Sequence, residues 1–456
     1  MMRLTWVQPE DLVGHGLAQA VLDGVEVTDL RDAWLAAGGD PEPLRAGASG
    51  SPAPPALRVL AGDILDELDR RPADLDGTEP TELAAIRLLR NGSAPVPGRR
   101  PDRDRVHGGW LGRAAGCLLG KPVEKIPRTG IREILSATGR WPLSGWFTAE
   151  GLPDEVARRW PWNRRSASTS LAENIAGMPE DDDLNFALLA LKLLEQHGSA
   201  LSTEDVAQAW LADLPAGRLF TAERVAYRNL LLGHVPPETA TVRNPFRDWI
   251  GAQIRGDVYG WARPGDPAGA ADLAWRDAVL SHTRNGVYGA MFVAAACATA
   301  VVADTVDEVL DAAIAVVPPD SRYARAVRFA RGLPQRYAGF EDAVDAVERR
   351  YGRLHWVHVL PNAALTVAAL VYGGGDFARS ITYAVSAGAD TDSNGATVGS
   401  VVGALTGADA LPTYWTAPLA NRLASTLPGF DSTGFDELAD RTVAVAETLA
   451  GQGEET

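Results

Sequence analysis

The chain has 456 residues, a formal net charge of −16 and 46% hydrophobic residues, enough length and apolar content for a large buried core. The acidic balance argues against a nucleic-acid backbone as main partner, because phosphate binding needs clustered Lys and Arg. Two cysteines, Cys117 and Cys297, lie far apart in apolar helical patterns and read as buried thiols of a reducing compartment, the cytoplasm, rather than a disulfide framework.

The N-terminus, MMRLTWVQPEDLVGHG, lacks the apolar run and small-residue cleavage site of a signal peptide. Helical periodicity follows in ALRVLAGDILDELDRR, with Leu57, Val59, Leu60, Ile64, Leu65 and Leu68 on the apolar positions. Pro, Gly and Ser cluster at 41–55 and again at 91–103, and such stretches do not hold a packed element. The second cluster is the expected boundary between a small helical accessory region, 1–100, and a large domain over 105–450.

That domain opens with a glycine stripe: Gly108, Gly112, Gly116 and Gly120 recur every fourth residue in HGGWLGRAAGCLLGKPVE. A second stripe, Gly395, Gly399 and Gly403, lies in NGATVGSVVGALTG. Each Gly inside a helix costs roughly 1 kcal/mol relative to Ala, so the stripes need a reason. Close approach of another backbone supplies one, and each stripe suits the other. Between 141 and 165, Trp141, Trp146, Trp160 and Trp162 lie among Arg158, Arg159, Arg164 and Arg165, which fits either a lid or a satellite core. Amphipathic runs then predict helices at 203–213, 221–232, 307–316, 362–372 and 437–449. The apolar run from Gly289, GAMFVAAACATAVVA, falls short of the roughly 20 residues of a membrane span and reads as a buried helix. Strand alternation is nearly absent, so the expected fold is all-α, a multi-helix domain with a small helical N-terminal extension.

Two acidic clusters interrupt this pattern. In PEDDDLNFALLALKLL, Asp181, Asp182 and Asp183 stand at the mouth of an almost wholly apolar helix. Capping explains acidic residues there, but carboxylates roughly 5 Å apart repel by about 3 kcal/mol at an effective dielectric of 20, and a cation would turn that repulsion into binding. In GADTDSNG, Asp390, Asp392 and Ser393 follow Gly388, which is placed as a helix stop. The spacing begins like an EF-hand, yet the twelfth position is Val401 rather than Glu. Hard oxygen ligands of this kind suit magnesium, manganese or calcium. Glu124, in GKPVEKI, is a third candidate whose role depends on the fold bringing it to these clusters.

Together these segments resemble the ADP-ribosylglycohydrolase family. GRAAGCLLGKPVE, ending on Glu124, is similar to the family's first motif, approximately G-x-x-x-G-D-A-x-G-x-P-x-E. Asp181-Asp182-Asp183-Leu184-Asn185-Phe186 is similar to T-D-D-T-x-M, and Gly388-Ala389-Asp390-Thr391-Asp392-Ser393 to G-x-D-T-D-[TS]. The resemblance implies an all-α hydrolase with two divalent ions, Mg2+ or Mn2+. It implies metal ligation by Asp182, Asp183, Asp390, Asp392 and Ser393, with Asp181, in the family's Thr position, a further candidate metal ligand and Glu124 close to one metal. His282, in SHTRNGVYGA, is similar to the family's T-H segment and would lie beside the ligand. Gly251 and Arg255, in GAQIRGD, loosely echo its phosphate-side loop G-N-G-x-x-M-R. Glu124 is the first choice of general acid or base and Asp181 the second.

Cys117, Asp181 and Leu184 depart from the pattern, standing where the family has Asp, Thr and Thr. The implied activity is release of ADP-ribose from a modified protein or small molecule, with no membrane and no nucleic-acid partner. A hydrolase of a nucleoside or another ribosylated metabolite, and a silent ligand-binding protein on the same scaffold, are the alternatives.

Overall fold

The structure, a computed structural model, describes residues 3–45, 47–71, 73, 75, 77–90, 102–163 and 166–453. It is helical throughout. Among the described residues there is no β-strand, only isolated bridges such as that between Met178 and Leu423. The helices used below are α1 (Pro9–Leu22), α2 (Pro55–Asp69), α3 (Arg103–Gly120), α4 (Asp182–His197), α5 (Arg284–Ala300), α6 (Val359–Gly373), α7 (Thr391–Thr406) and α8 (Phe435–Gly453).

The two glycine stripes meet. Helices α3 and α7 run antiparallel, with Gly108 against Gly403, Gly112 against Gly399, Gly116 against Gly395, and Gly120 against Thr391. A Cβ at any of these glycines would sit on the facing backbone, so the helix-propensity cost of glycine is offset by direct backbone packing. Around this pair lie the apolar helices. Helix α5 is buried from Asn285 to Ala300, as a surface with no polar face requires. Among the described residues no helix is long and apolar enough to cross a membrane. Helix α8 closes the far side, where Trp110 Nε1 donates to Thr442 Oγ1 at 3.0 Å.

Residues before 91 share this core: Leu12, Val13, Trp34, Ile64 and Leu65 are buried in the same apolar cluster as α3 and α5. The expected boundary at 91–103 falls largely on 91–101, outside the described residues; beyond it, Asp102 caps α3 by accepting from the Asp104 N–H at 3.0 Å. Polar contacts also join the N-terminal region to the body. Asp23 accepts from Arg247 and Arg284 at 2.8 Å each and from Arg322 at 3.0 Å. Glu79 holds the same Arg322 at 2.6 Å.

Histidines line this junction. His15 lies 5.1 Å from Phe246 and 5.5 Å from His355, ring centre to ring centre, and His355 stacks on Trp249 at 4.4 Å. Burial pulls His15 and His358 each down to about 3 and His355 to about 4, and His15 Nε2 and His358 Nε2 have no hydrogen-bond partner. An unfolded histidine titrates near 6.5, so as pH falls the unfolded chain takes up these protons first and stability declines between about pH 6.5 and 3. His15→Phe keeps the aromatic packing and removes one such site. It is expected to gain on wild type by about 1.4 kcal/mol per pH unit below about pH 6, measured by urea unfolding at pH 7 and pH 5; a pH-independent difference would contradict this.

Candidate metal centre

The centre lies where α3, α4 and α7 begin or end. The chain leaves α3 through a 3-10 turn, Lys121–Val123, which delivers Glu124. Helix α4 starts beside it. Asp181 is the N-cap, its carboxylate accepting from the Asp183 N–H at 2.9 Å, which leaves Asp182 and Asp183 in the first turn with no capping role. Helix α7 starts after a left-handed turn, Gly388 at φ 81° and Ala389 at φ 61°. Gly388 therefore stops the preceding helix and turns Asp390 towards α3. Asn362 on α6 fixes this turn, accepting from the Asp390 N–H at 3.2 Å and from Asn394 Nδ2 at 2.8 Å.

Two groups of ligand atoms result. Glu124, Asp390 and Asp392 bring one carboxylate oxygen each within 4.8 Å of one another, and Cys117 Sγ, Asp181 and Asp183 do the same. Ser393 joins the groups, its Oγ donating to Asp183 Oδ2 at 3.2 Å. Asp182 is half-buried beside both and belongs to neither close triplet. Glu124 is held by Asn163 Nδ2 at 2.6 Å and Lys125 Nζ at 3.1 Å.

The electrostatics are those of crowded carboxylates short of positive charge. Burial, and then neighbouring carboxylates, push Asp182, Asp183 and Asp390 well above the usual carboxylate range. Burial, Glu124 and Asp181 raise Asp392 to about 7. Arg113, fully buried on α3, partly compensates: it donates to Asp257 Oδ2 at 2.8 Å and to the Asp183 carbonyl at 2.6 Å, and lies 3.5 Å from Asp183 Oδ1. Asp183 Oδ1 is buried with no hydrogen-bond partner.

The other expected ligand-side residues gather around Glu223. Arg255 is 1% exposed, and its guanidinium is taken by Glu223 and Asp277, at 2.7 Å each, and by Ser281. In this arrangement every guanidinium donor of Arg255 is engaged within the protein and none is left for a phosphate. Gly251 leaves no room for a Cβ against the Glu223 carboxylate. His282 is fully buried, its Nδ1 2.8 Å from Ser281 Oγ and 3.9 Å from Glu223 Oε1. Burial and Arg255 keep it neutral. This assembly touches the centre through Arg113, which also donates to the Ile254 carbonyl at 2.5 Å.

The Trp-rich segment packs on the main core, with Trp146 part of it and Trp141, Trp160 and Trp162 against it. Trp146 packs edge-on against Trp415 at 4.9 Å, and Trp160 donates to Glu133 at 2.6 Å. Arg164 and Arg165 lie outside the described residues. The segment nonetheless supplies Asn163 to Glu124.

The sequence pattern of the ADP-ribosylglycohydrolase family matches residues 99–452. The chain belongs to the ADP-ribosylglycohydrolase family. It is therefore a glycosidic-bond hydrolase of a family that acts on ADP-ribosylated substrates and is generally dependent on divalent metal. An uncharacterized protein of Archaeoglobus fulgidus is 26% identical over 325 residues, covering 68% of this chain and 90% of that protein. A solved ADP-ribosylglycohydrolase-related protein complex is 18% identical with a TM-score of 0.39, covering 76% of this chain and 98% of the matched one. The all-α expectation and the family both hold. The match begins at residue 99, so the N-terminal region lies outside it.

Several groups at this centre escaped sequence reasoning. Arg113 is the lone charge within the first glycine stripe, a usable signal that it is buried and paired. Lys121 follows Cys117 by one helical turn and passes for a solvated flank of Glu124. Asn163 and Asn362 carry no local signature, since only the tertiary fold brings them to the carboxylates.

Proposed function

We propose that the chain is a divalent-metal-dependent hydrolase of a ribosyl glycosidic bond that releases ADP-ribose from a modified protein side chain or small molecule. The observation that carries this reading is the convergence of two acidic helix starts, Asp181 to Asp183 and Asp390 to Ser393, on Glu124. The donor set fits a hard cation: Glu124, Asp390 and Asp392 offer only oxygen, which suits Mg2+ or Mn2+.

Asp390 and Asp392, with Glu124, would hold such an ion, with Asp182 beside them and Asp183 and Ser393 across the helix pair. A bound divalent ion would orient ribose hydroxyls and make a water more acidic. Glu124 is the proposed general acid or base, since Asn163 and Lys125 fix its carboxylate at the edge of the centre. Asp181 is less suited, because Lys121 and the Asp183 N–H occupy its oxygens. The ionised carboxylates would stabilise positive charge as an oxocarbenium-like state develops at the anomeric carbon. His282, Gly251 and Arg255 are proposed to shape the substrate side through Glu223. The buried thiols Cys117 and Cys297 fit action in the cytoplasm.

The occupied Arg255 favours one alternative, a nucleoside or small ribosylated metabolite with no need of that phosphate contact. The two are separated by incubating the protein with Mg2+ or Mn2+ and arginine- or serine-linked ADP-ribosyl peptides, measuring free ADP-ribose, with Asp390→Ala as control. Metal-dependent release absent in the variant is the expected result. Release of ribose from nucleosides with none from the peptides would move the reading to the alternative, and full activity in Asp390→Ala would end it.

A further inference from the structure

Three sequence features converge at one end of the centre. Cys117 stands where the family's motif has Asp, Asp181 where it has Thr, and Lys121 at a position the motif leaves open. In the fold they touch. Lys121 Nζ is in direct contact with Asp181 Oδ2, and both side chains are 8% exposed. The same ammonium lies 3.3 Å from the Glu180 carbonyl oxygen. The remaining Asp181 oxygen accepts the Asp183 N–H.

We propose that Lys121 is a built-in cation that takes the place of one divalent ion, so that this chain holds a single metal, on Glu124, Asp390 and Asp392, where the resemblance implies two. The inference rests on the acidic groups being the metal centre, as proposed above.

The chemistry of the two halves supports the division. The half made by Glu124, Asp390 and Asp392 is all oxygen, and the ammonium nearest it, Lys125, belongs to a side chain still 57% exposed that can swing away. The other half presents a thiol, a poor ligand for a hard ion, with two carboxylates that already face buried cations, Asp181 facing Lys121 and Asp183 facing Arg113. A divalent ion there would have to displace a buried ammonium that is paired with Asp181 and lies 3.3 Å from the Glu180 carbonyl oxygen. Burial lowers the Lys121 pKa, and contact with Asp181 more than offsets that, so the side chain stays an ammonium. An ammonium cannot act as a Lewis acid. Its role is positioning: it fixes Asp181 as the cap of α4 and leaves chemistry to the single ion.

The test is metal stoichiometry. Purified full-length protein is titrated with Mn2+ by calorimetry, bound metal is counted by mass spectrometry after desalting, and the Mn2+ electron paramagnetic resonance spectrum is recorded. Wild type is expected to bind one ion per chain with no exchange-coupled signal. Lys121→Met, or Lys121→Met with Asp181→Thr should the single variant fail to fold, is expected to bind two ions and show coupling. Two ions or none in wild type would overturn the proposal, as would one ion in a folded variant. Absent hydrolysis with one ion still bound would count against the hydrolase reading while upholding the role of Lys121.

Discussion

Asp392→Asn is expected to lose turnover and gain stability at once. Removing a residue that merely supports a metal ligand typically costs 10- to 100-fold in affinity or activity, so removing a proposed ligand should cost at least about 100-fold in kcat/KM. The stability effect has the opposite sign. Asp392 has its pKa raised to about 7 by burial and by Glu124 and Asp181, against an ordinary value near 3.9. A carboxyl whose folded pKa is raised stabilises least at high pH: the destabilisation grows as pH climbs through the folded pKa and is complete above it. At pH 8, without metal, Asn relieves this repulsion, and the variant should unfold at higher urea than wild type. Addition of Mn2+ should reverse the order, because only wild type gains the full binding energy. Urea unfolding with EDTA and with Mn2+ checks both arms, and a variant that is less stable without metal would contradict the electrostatic account.

Gly116→Val is expected to be among the most damaging substitutions in the chain. A side chain at Gly116 would overlap the Gly395 carbonyl, and the obstacle is backbone of a buried helix, which cannot rotate away as a side chain can. Overpacking an ordinary core costs about 1–3 kcal/mol; with backbone on both sides the cost here should reach at least about 3 kcal/mol. The effect extends to function, since α3 leads into Lys121 and Glu124 while α7 opens on Asp390, Asp392 and Ser393. Prising the helices apart separates the two sources of ligand. Circular dichroism and Mn2+ binding should fall together. The exposed Gly151, with open space around it and φ 75°, is a control: Gly151→Asn should leave metal binding unchanged.

The reason this fold is legible in sequence is also visible in these residues. A four-residue glycine period survives only where two backbones meet, so Gly108 to Gly120 and Gly395 to Gly403 announced their own pairing. The apolar runs of α4 and α5 announced burial, and like charges at the mouth of one of them announced a need for countercharge. What sequence could not convey is which countercharge answers which carboxylate. Lys121 and Lys125 flank Glu124 alike in the chain, yet one turns inward to Asp181 and the other stays at the surface. Arg255 loosely echoes a phosphate-side loop in sequence, but only the fold shows it seated between Glu223 and Asp277 and over the rings of Phe186 and Trp210, 5.1 Å from each. The Trp-rich segment is ambiguous in sequence because tryptophans serve lids and packed cores equally well, and only the fold shows these packed against the main core.

Calorimetric titration of ADP-ribose into the purified protein, with Mn2+ and again after EDTA, in wild type and Asp392→Asn, tests most directly whether Glu124, Asp390 and Asp392 form a metal-dependent ribosyl site. Binding that requires Mn2+ and disappears in the variant is the predicted result. Binding of equal affinity after EDTA, or retained in Asp392→Asn, would contradict it.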